Sequence, residues 1–258
     1  MTDEPTLLTD LKDGMLTITL NRPKANAFDT AMSKALTKEF RNAGRNEAVR
    51  VVVLTGAGKL FSAGQDVSEF GEGGERSFRE HLLATYNPMI IEMRKLEKPI
   101  IGAINGAAAG ASLGIALACD LRIAADSARF VVGFLGIGLA PDSAVSLMLP
   151  TLIGLARAAE FVFTNEPITA QQALEWGLVN RVVPAEELGA AAAAWAAQLA
   201  RGPVHAMGLA KRDFNKAILP HLEAVLDYEA HNQEIAGKLP EHREGIAAFR
   251  EKREAQYG

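Results

Sequence analysis

The chain has 258 residues, of which 48% are hydrophobic and 22% charged, a balance typical of a folded globular protein and unlike that of a disordered segment. Its 27 basic and 31 acidic residues give a net charge of −4, with no long run of Lys or Arg, which argues against nucleic acid as a partner. The single cysteine, Cys119, has no disulfide partner and the N-terminus lacks a secretory signal, so we expect a cytoplasmic protein.

Strands and helices alternate through the first part of the chain. Alternating or continuous apolar runs predict strands over residues 16–20, 51–54, 99–104, 121–124 and 129–132. Helical spacing predicts helices over residues 30–42, around 89–96 and over 107–118. Such alternation indicates an α/β architecture with some parallel pairing.

From residue 185 onward the strand signals disappear. Helical periods recur over residues 188–200, 204–218, 222–235 and 243–257. We therefore divide the chain into an α/β core of residues 1–184 and a helical C-terminal region of residues 185–258.

The stretch 99–119 carries no charge and is long enough for a membrane span. Pro99 opens it, Asn105 and Ser112 interrupt it, and a strand followed by a buried helix accounts for the same residues. We expect no contact with a membrane.

Two glycine-containing loops follow the predicted strands 51–54 and 99–104. The first is Leu60-Phe-Ser-Ala-Gly-Gln-Asp-Val67, and the second is Asn105-Gly-Ala-Ala-Ala-Gly-Ala-Ser-Leu-Gly114, which leads into a helix. Glycine allows a backbone to approach a ligand closely, and the first N–H groups of a helix have no partner within it. These loops are candidates for binding a developing negative charge.

The motifs resemble those of the enoyl-CoA hydratase/isomerase, or crotonase, superfamily over nearly the whole chain. Besides the two loops, the resemblance rests on Asn21-Arg-Pro-Lys-Ala-Asn-Ala, Lys98-Pro-Ile-Ile-Gly-Ala-Ile-Asn-Gly, Ala118-Cys-Asp-Leu-Arg-Ile-Ala, Ile137-Gly-Leu-Ala-Pro and Ala170-Gln-Gln-Ala-Leu-Glu-Trp-Gly-Leu-Val. It implies a crotonase/ClpP-like spiral of ββα units with a C-terminal helical region. In such proteins that region, residues 185–258 here, is an oligomerisation region that packs on neighbouring subunits of a homotrimer or homohexamer.

The resemblance also implies an oxyanion hole formed by the N–H groups of Ala63 and Ala111, aimed at the oxygen of an acyl-CoA thioester. One such donor is worth roughly 3–4 kcal/mol of transition-state stabilisation. The other residues that it places against the substrate are Lys24, Ala25, Gly64, Gln65, Asp66, Val67, Gly110 and Phe134. We expect no metal, and no cofactor besides the CoA of the substrate.

Asp142, in Leu139-Ala-Pro-Asp-Ser143, is the candidate acid/base. The family's hydratases use two glutamates, and Gly114 and Phe134 stand at those places here. The sequence around Asp142 instead resembles that of phenylacetate-pathway isomerases, in which one carboxylate moves a proton between two carbons. Apolar neighbours such as Phe134, Leu139 and Leu147 are expected to raise its pKa. The alternative is that Asp142 caps a helix over residues 143–149.

Other functions stay open. Asp142 also resembles the nucleophile of aryl-CoA dehalogenases, although the aligned stretch Tyr86-Asn-Pro contains no histidine to activate water and Phe134 replaces a tryptophan. A hydratase and a non-catalytic acyl-CoA-binding scaffold are further alternatives. Gly110-Ala-Ser-Leu-Gly114 also matches the elbow of a serine hydrolase with Ser112 as nucleophile. The five histidines are interpreted as surface or helix-packing residues, and the acyl group is expected to contact Phe70, Phe78, Leu82, Tyr86 and Phe134.

Overall fold

The computed structural model of the protein describes residues 5–23, 25–69 and 77–258. These residues form nine strands, eleven α-helices and three short 3-10 helices. The strands are β1 (Leu7–Lys12), β2 (Met15–Leu20), β3 (Val51–Gly56), β4 (Ile100–Ile104), β5 (Ala108–Ala109), β6 (Leu121–Ala125), β7 (Arg129–Val131), β8 (Ile168–Thr169) and β9 (Arg181–Val183). The helices are α1 (Thr30–Arg45), α2 (Phe78–Ala84), α3 (Tyr86–Lys95), α4 (Ala111–Ala118), α5 (Val145–Ile153), α6 (Leu155–Thr164), α7 (Ala170–Glu175), α8 (Leu188–Ala200), α9 (Val204–Ile218), α10 (Leu222–Ala236) and α11 (Pro240–Glu251).

The larger sheet contains six strands in the order β1-β2-β3-β4-β6-β9. Only β1 and β2 are antiparallel, and the other neighbours run parallel. The central strands β3 and β4 are almost completely buried, as their continuous apolar runs predict. The edge strand β1 is largely exposed and lacks an apolar pattern, which is why the sequence does not predict it.

A second, smaller sheet has the order β5-β7-β8, and single bridges extend its layer. Ser62 pairs with Ala108, and Phe28 pairs with Gln65. Each strand from β2 to β4, and also β6, is therefore followed by a short paired segment and then by a helix. The repeated unit is ββα, and the chain winds through it four times.

Helix α4 begins later than the sequence predicts. Ala108–Ala109 forms strand β5 and pairs with β7 instead of extending the helix predicted over residues 107–118. Alanine favours a helix when nothing competes, but here the backbone finds its hydrogen bonds in a neighbouring strand. Gly110, with φ of 56°, turns the chain between β5 and α4.

The C-terminal region is helical, as predicted. Helix α8 packs on the larger sheet through buried residues such as Trp195, while α10 packs against α2, α3 and α5. The boundary between residues 184 and 185 stays a prediction. Within the described ranges no helix has the length and apolar character needed to cross a membrane, and the stretch 99–119 is divided among β4, β5 and α4.

Candidate active site

A cavity of about 480 Å³ lies where the two glycine-containing loops meet helices α2, α3, α10 and α11. Eleven of the site residues predicted from the sequence line it, namely Ala63, Gln65, Asp66, Val67, Phe78, Leu82, Tyr86, Gly110, Ala111, Phe134 and Asp142. Ala25 and Gly64 are not in its wall. Lys24 and Phe70 lie outside the described residues. The predicted residues are thus brought together at one mostly apolar site.

In the first loop the N–H of Ala63 is not free. It donates a hydrogen bond to the carbonyl oxygen of Ala25 at 3.0 Å, so it cannot also bind a substrate oxygen, contrary to the prediction. Two residues later, the N–H of Gln65 finds no acceptor anywhere in the described ranges. Of these two N–H groups, only that of Gln65 is available to a substrate oxygen.

In the second loop the N–H of Ala111 is available. Ala111 is the first residue of α4, so its N–H has no partner within the helix, and no other described residue accepts from it. The same N-terminus carries the positive end of the helix dipole. This N–H is therefore open to a ligand, and its role as an oxyanion donor stays a prediction.

The two loops lie in direct contact. A side-chain carbon at Gly64, whose φ is 87°, would stand 2.6 Å from the carbonyl oxygen of Ala109 and 3.5 Å from the nitrogen of Ala111. The buried hydroxyl of Ser112 donates to the carbonyl oxygen of Ser62 at 2.7 Å and so joins the loops. Glycine at position 64 is required because any larger residue would push them apart.

This contact also decides the serine-hydrolase alternative. Ser112 is completely buried, and its hydroxyl is occupied by the backbone of Ser62 and Ala109. No histidine of the described residues hydrogen-bonds to it. Ser112 is a structural residue, and the hypothesis of a serine hydrolase with Ser112 as nucleophile is wrong.

Asp142 is buried in the cavity wall, with 7% of its surface exposed. Its Oδ1 accepts a hydrogen bond from the hydroxyl of Ser143 at 2.7 Å, and its Oδ2 accepts one from Nε2 of Gln233 at 2.7 Å. Burial raises the pKa of Asp142 to about 6, against the lowering effect of the two hydrogen bonds. Phe134 and Leu139 share this cavity wall as predicted, whereas Leu147 does not.

Asp142 does not cap helix α5, so that alternative is wrong. The helix begins at Val145, after two residues with left-handed backbone, Ser143 and Ala144. The N-terminal N–H groups of this turn donate to Glu229 instead. The side chain of Asp142 remains directed to the cavity.

The structure accounts for the missing hydratase glutamates. A side-chain carbon at Gly114 would press on the carbonyl oxygen of Ser143 and lie 2.6 Å from its Cβ. The turn that carries Asp142 thus occupies the space into which a glutamate at position 114 would project. At the second place, Phe134 is buried and lines the cavity.

Asp66 holds the first loop in place. It accepts hydrogen bonds from Arg22 at 2.8 Å and from the N–H of Ser68 at 3.0 Å. Hydrogen bonding to Ser68 lowers the pKa of Asp66 more than any other contact.

The sequence does not predict His81 and Gln233 as site residues, and it predicts Tyr86 only as a contact of the acyl group. His81 and Tyr86 both bond to Oε1 of Gln65, at 3.0 and 2.7 Å, and Gln233 bonds to Asp142. Burial, more than the nearby charge of Asp142, raises the pKa of Tyr86 well above its usual value. Since these residues are polar members of helical patterns, the sequence does not separate them from a solvent-exposed face.

The interpretation of the histidines is confirmed for His205, His221 and His231, which are exposed. His81 and His242 are instead buried and line the cavity. The described residues contain no group of three His, Cys, Asp or Glu side chains arranged to hold a metal ion.

Comparison with known proteins agrees with the fold and the motifs. The crystal structure of an enoyl-CoA hydratase from Mycobacterium avium subsp. paratuberculosis K-10 superposes with a TM-score of 0.90 at 31% identity, covering 98% of this chain and 99% of that one. The fold is that of the crotonases, a spiral of ββα units with C-terminal helices.

A model of the family described as enoyl-CoA hydratase/isomerase matches residues 10–258. The chain is 38% identical over 255 residues to 1,2-epoxyphenylacetyl-CoA isomerase of Escherichia coli (strain K12), covering 97% of both. It is 36% identical over 244 residues to 4-chlorobenzoyl coenzyme A dehalogenase-2 of Arthrobacter sp, covering 93% of this chain and 88% of the relative. The chain belongs to the enoyl-CoA hydratase/isomerase family, as its motifs predict, and is an acyl-CoA enzyme.

Proposed function

We propose that the protein is an enoyl-CoA isomerase that moves a double bond within the acyl group of a CoA thioester, with Asp142 as acid and base. The observation that carries this proposal is the buried carboxylate of Asp142 in the wall of an apolar cavity. The same wall includes Gln65 and Ala111, whose N–H groups have no acceptor among the described residues. Similarity to an epoxyphenylacetyl-CoA isomerase supports it.

The two N–H groups bind the thioester oxygen. As Asp142 removes a proton from C2 of a 3-enoyl-CoA, the electron pair of that C–H bond moves into the carbonyl, and the oxygen of the dienolate becomes negative. Gln65 and Ala111 stabilise this charge without reorganisation because the surrounding hydrogen bonds already fix their loops. The dienolate then takes the proton back from Asp142 at C4, which gives the conjugated 2-enoyl-CoA with no atom gained or lost.

The environment of Asp142 suits this role. A pKa of about 6 leaves the carboxylate ionised at neutral pH and makes it a better base than an exposed aspartate. Its contacts with Ser143 and Gln233 hold both oxygens in fixed positions. Hydration would require a second acid or base, and the places of the hydratase glutamates hold Gly114 and Phe134.

The walls of the cavity favour an apolar acyl group, alkyl or aryl. They include the predicted residues Phe78, Leu82, Tyr86 and Phe134, together with Ile246 and Phe249 of helix α11. We propose that the CoA portion lies along Lys24, Ala25, Gly64, Asp66, Val67 and Gly110, as the family resemblance implies. The thioester would then reach the cavity between the two loops.

Assembly into a homotrimer or homohexamer in the cytoplasm stays a prediction. Leu155, Phe163 and Phe214 each expose more than half of their surface, and exposed apolar residues on α6 and α9 are typical of a contact between subunits.

Dehalogenation of an aryl-CoA is the second candidate. The dehalogenase relative and the presence of His81 in the cavity wall favour it. In that reaction Asp142 would attack a ring carbon, halide would leave, and water would release the product from the ester.

The deciding experiment supplies the purified protein with a 3-enoyl-CoA, a 2-enoyl-CoA and a 4-halobenzoyl-CoA in separate reactions. We expect the first to gain the absorbance of a conjugated thioester without change of mass, and the second to gain no water. Addition of 18 Da to the 2-enoyl-CoA would instead establish a hydratase, and halide release from the third a dehalogenase. Binding without turnover of any substrate would establish a scaffold.

Asp142→Asn tests the role of the carboxylate. We expect isomerisation to fall by about 10²–10⁴-fold with acyl-CoA binding retained, because the amide cannot accept a proton. Asp213→Asn, which changes an exposed aspartate of α9, serves as the control and should leave the rate unchanged. Equal rates for wild type and Asp142→Asn would remove Asp142 from the mechanism.

A further inference from the structure

The residues that follow Asp142 adopt an unusual backbone conformation. Ser143 and Ala144 have φ of 56° and 64°, and two consecutive non-glycine residues in the left-handed region are strained. Such a turn persists only if neighbouring groups hold it. The structure shows that these groups come from helix α10.

Glu229 of α10 holds the turn. Only 3% of its surface is exposed, and its carboxylate accepts hydrogen bonds from the N–H of Ala144 at 2.8 Å, from the N–H of Ser146 at 3.0 Å and from the Ser146 hydroxyl. The N-cap residue of α5, Ala144, has no side chain that can cap the helix, and the carboxylate of Glu229 takes over this role. The pKa of Glu229 is raised to about 7, first by burial and further by the charge of Asp142.

Gln233, one helical turn after Glu229, holds the carboxylate itself. Its Nε2 donates to Oδ2 of Asp142, while its Oε1 is buried and has no donor in the described part of the chain. An amide offers a donor on one side and an acceptor on the other. Rotation of the amide would let Oε1 accept from Asp142 when that residue holds the proton.

We propose that Glu229 and Gln233 are positioning residues for Asp142: Glu229 fixes the strained turn that carries it, and Gln233 orients its carboxylate and favours its ionised form. This inference rests on the proposed acid/base role of Asp142. The bond from Gln233 to the carboxylate is charge-assisted and stronger than a bond to the neutral acid, so its loss shifts Asp142 toward the protonated state.

The titratable side chains that face Asp142 come from several elements. Those that share its turn or its cavity are Asp66, His81 of α2, Tyr86 of α3, Glu229 of α10 and His242 of α11. None of them hydrogen-bonds to the carboxylate of Asp142, which is bonded to Ser143 and Gln233. A change at Gln233 is therefore the most direct way to alter its titration.

Two variants of Gln233 test the proposal. Gln233→Met removes the donor and keeps the length of the side chain, and Gln233→Glu places a second carboxyl beside Asp142. We expect the acidic limb of the pH profile of kcat/KM to move upward by about 0.5–1 pH unit in Gln233→Met and further in Gln233→Glu. Profiles that coincide with that of the wild type would overturn the role of Gln233.

Glu229→Gln tests the other half. An amide accepts only at its oxygen, so one of the two N–H groups of the turn loses its partner. We expect kcat to fall 10–100-fold with little change in KM, while Glu223→Gln, an exposed change on the same helix, leaves both unchanged. An unchanged kcat in Glu229→Gln would overturn the role of Glu229.

A direct titration separates this inference from the proposed function. The carboxyl carbon of Asp142 is followed by ¹³C NMR in protein labelled at aspartate, and its signal is assigned by its loss in Asp142→Asn. We expect its pKa to rise in the order wild type, Gln233→Met, Gln233→Glu. If the wild type isomerises no substrate while this order of pKa values holds, the proposed function fails and the positioning role stands. If the wild type isomerises a 3-enoyl-CoA but the pKa of Asp142 does not follow this order, the positioning role alone is removed.

Discussion

Replacing Gly114 by alanine should disturb the site more than its small size implies. The added carbon would meet the carbonyl oxygen and Cβ of Ser143, both part of the turn that follows Asp142. An overpacked contact of this kind costs about 1–3 kcal/mol, while alanine in a helix gains about 0.5–1 kcal/mol over glycine. The net loss in the free energy of unfolding is the difference between these two ranges, about 0–2.5 kcal/mol.

Urea unfolding and steady-state isomerase kinetics measure the two effects. We expect Gly114→Ala to lower kcat by at least tenfold, since a 1 Å displacement of Asp142 is sufficient for a loss of that order. Gly189→Ala is the matched control, because Gly189 also lies in a helix and its added carbon meets no atom within 4 Å. If the two variants are equally stable and active, the close packing of α4 on the turn does not position Asp142.

Three further measurements follow from the site. The activity should rise with pH through about 6, because the base must be ionised, and the pH profile of kcat/KM checks this. Ala111→Pro removes one oxyanion donor at a helix position that tolerates proline, so it should lower kcat about 10²–10³-fold without loss of the circular dichroism signal. The raised pKa of Asp142 means that the native state binds this proton more tightly than the unfolded chain does. The free energy of unfolding therefore decreases as the pH rises from about 4 to about 6. Asp142→Asn should therefore be more stable than the wild type at pH 8 by roughly 1–3 kcal/mol and no more stable near pH 4, as thermal unfolding will show.

Much of the fold follows from local sequence. The apolar runs of β3 and β4 and the helical spacing of α1 and of the C-terminal helices are visible without a structure, and the motifs around residues 61–66 and 105–114 identify the family. Strand β5 is different, because its alanines favour a helix and form a strand only through pairing with β7. Local propensity does not contain that information.

In the candidate site, too, some features follow from local sequence and others depend on tertiary contacts. Position 142 is evident from its motif. Whether the N–H of Ala63 or that of Gln65 is available depends on pairing with residues 37 or 38 positions earlier. Ala63 bonds to Ala25, and the bridge between Phe28 and Gln65 leaves the N–H of Gln65 unpaired. Likewise Glu229 and Gln233 read as the polar face of a helix until tertiary packing buries them.

The contacts of α10 also order the steps by which the protein becomes active during synthesis. Gln233 lies 91 residues after Asp142, and Glu229 lies 85 residues after Ala144. At translation rates of about 5–20 residues per second, the ribosome completes both glycine-containing loops several seconds before α10 emerges. A nascent chain that ends before α10 carries the carboxylate of Asp142 on a turn that nothing holds. We therefore expect catalysis to begin only after the helical C-terminal region has folded over the cavity.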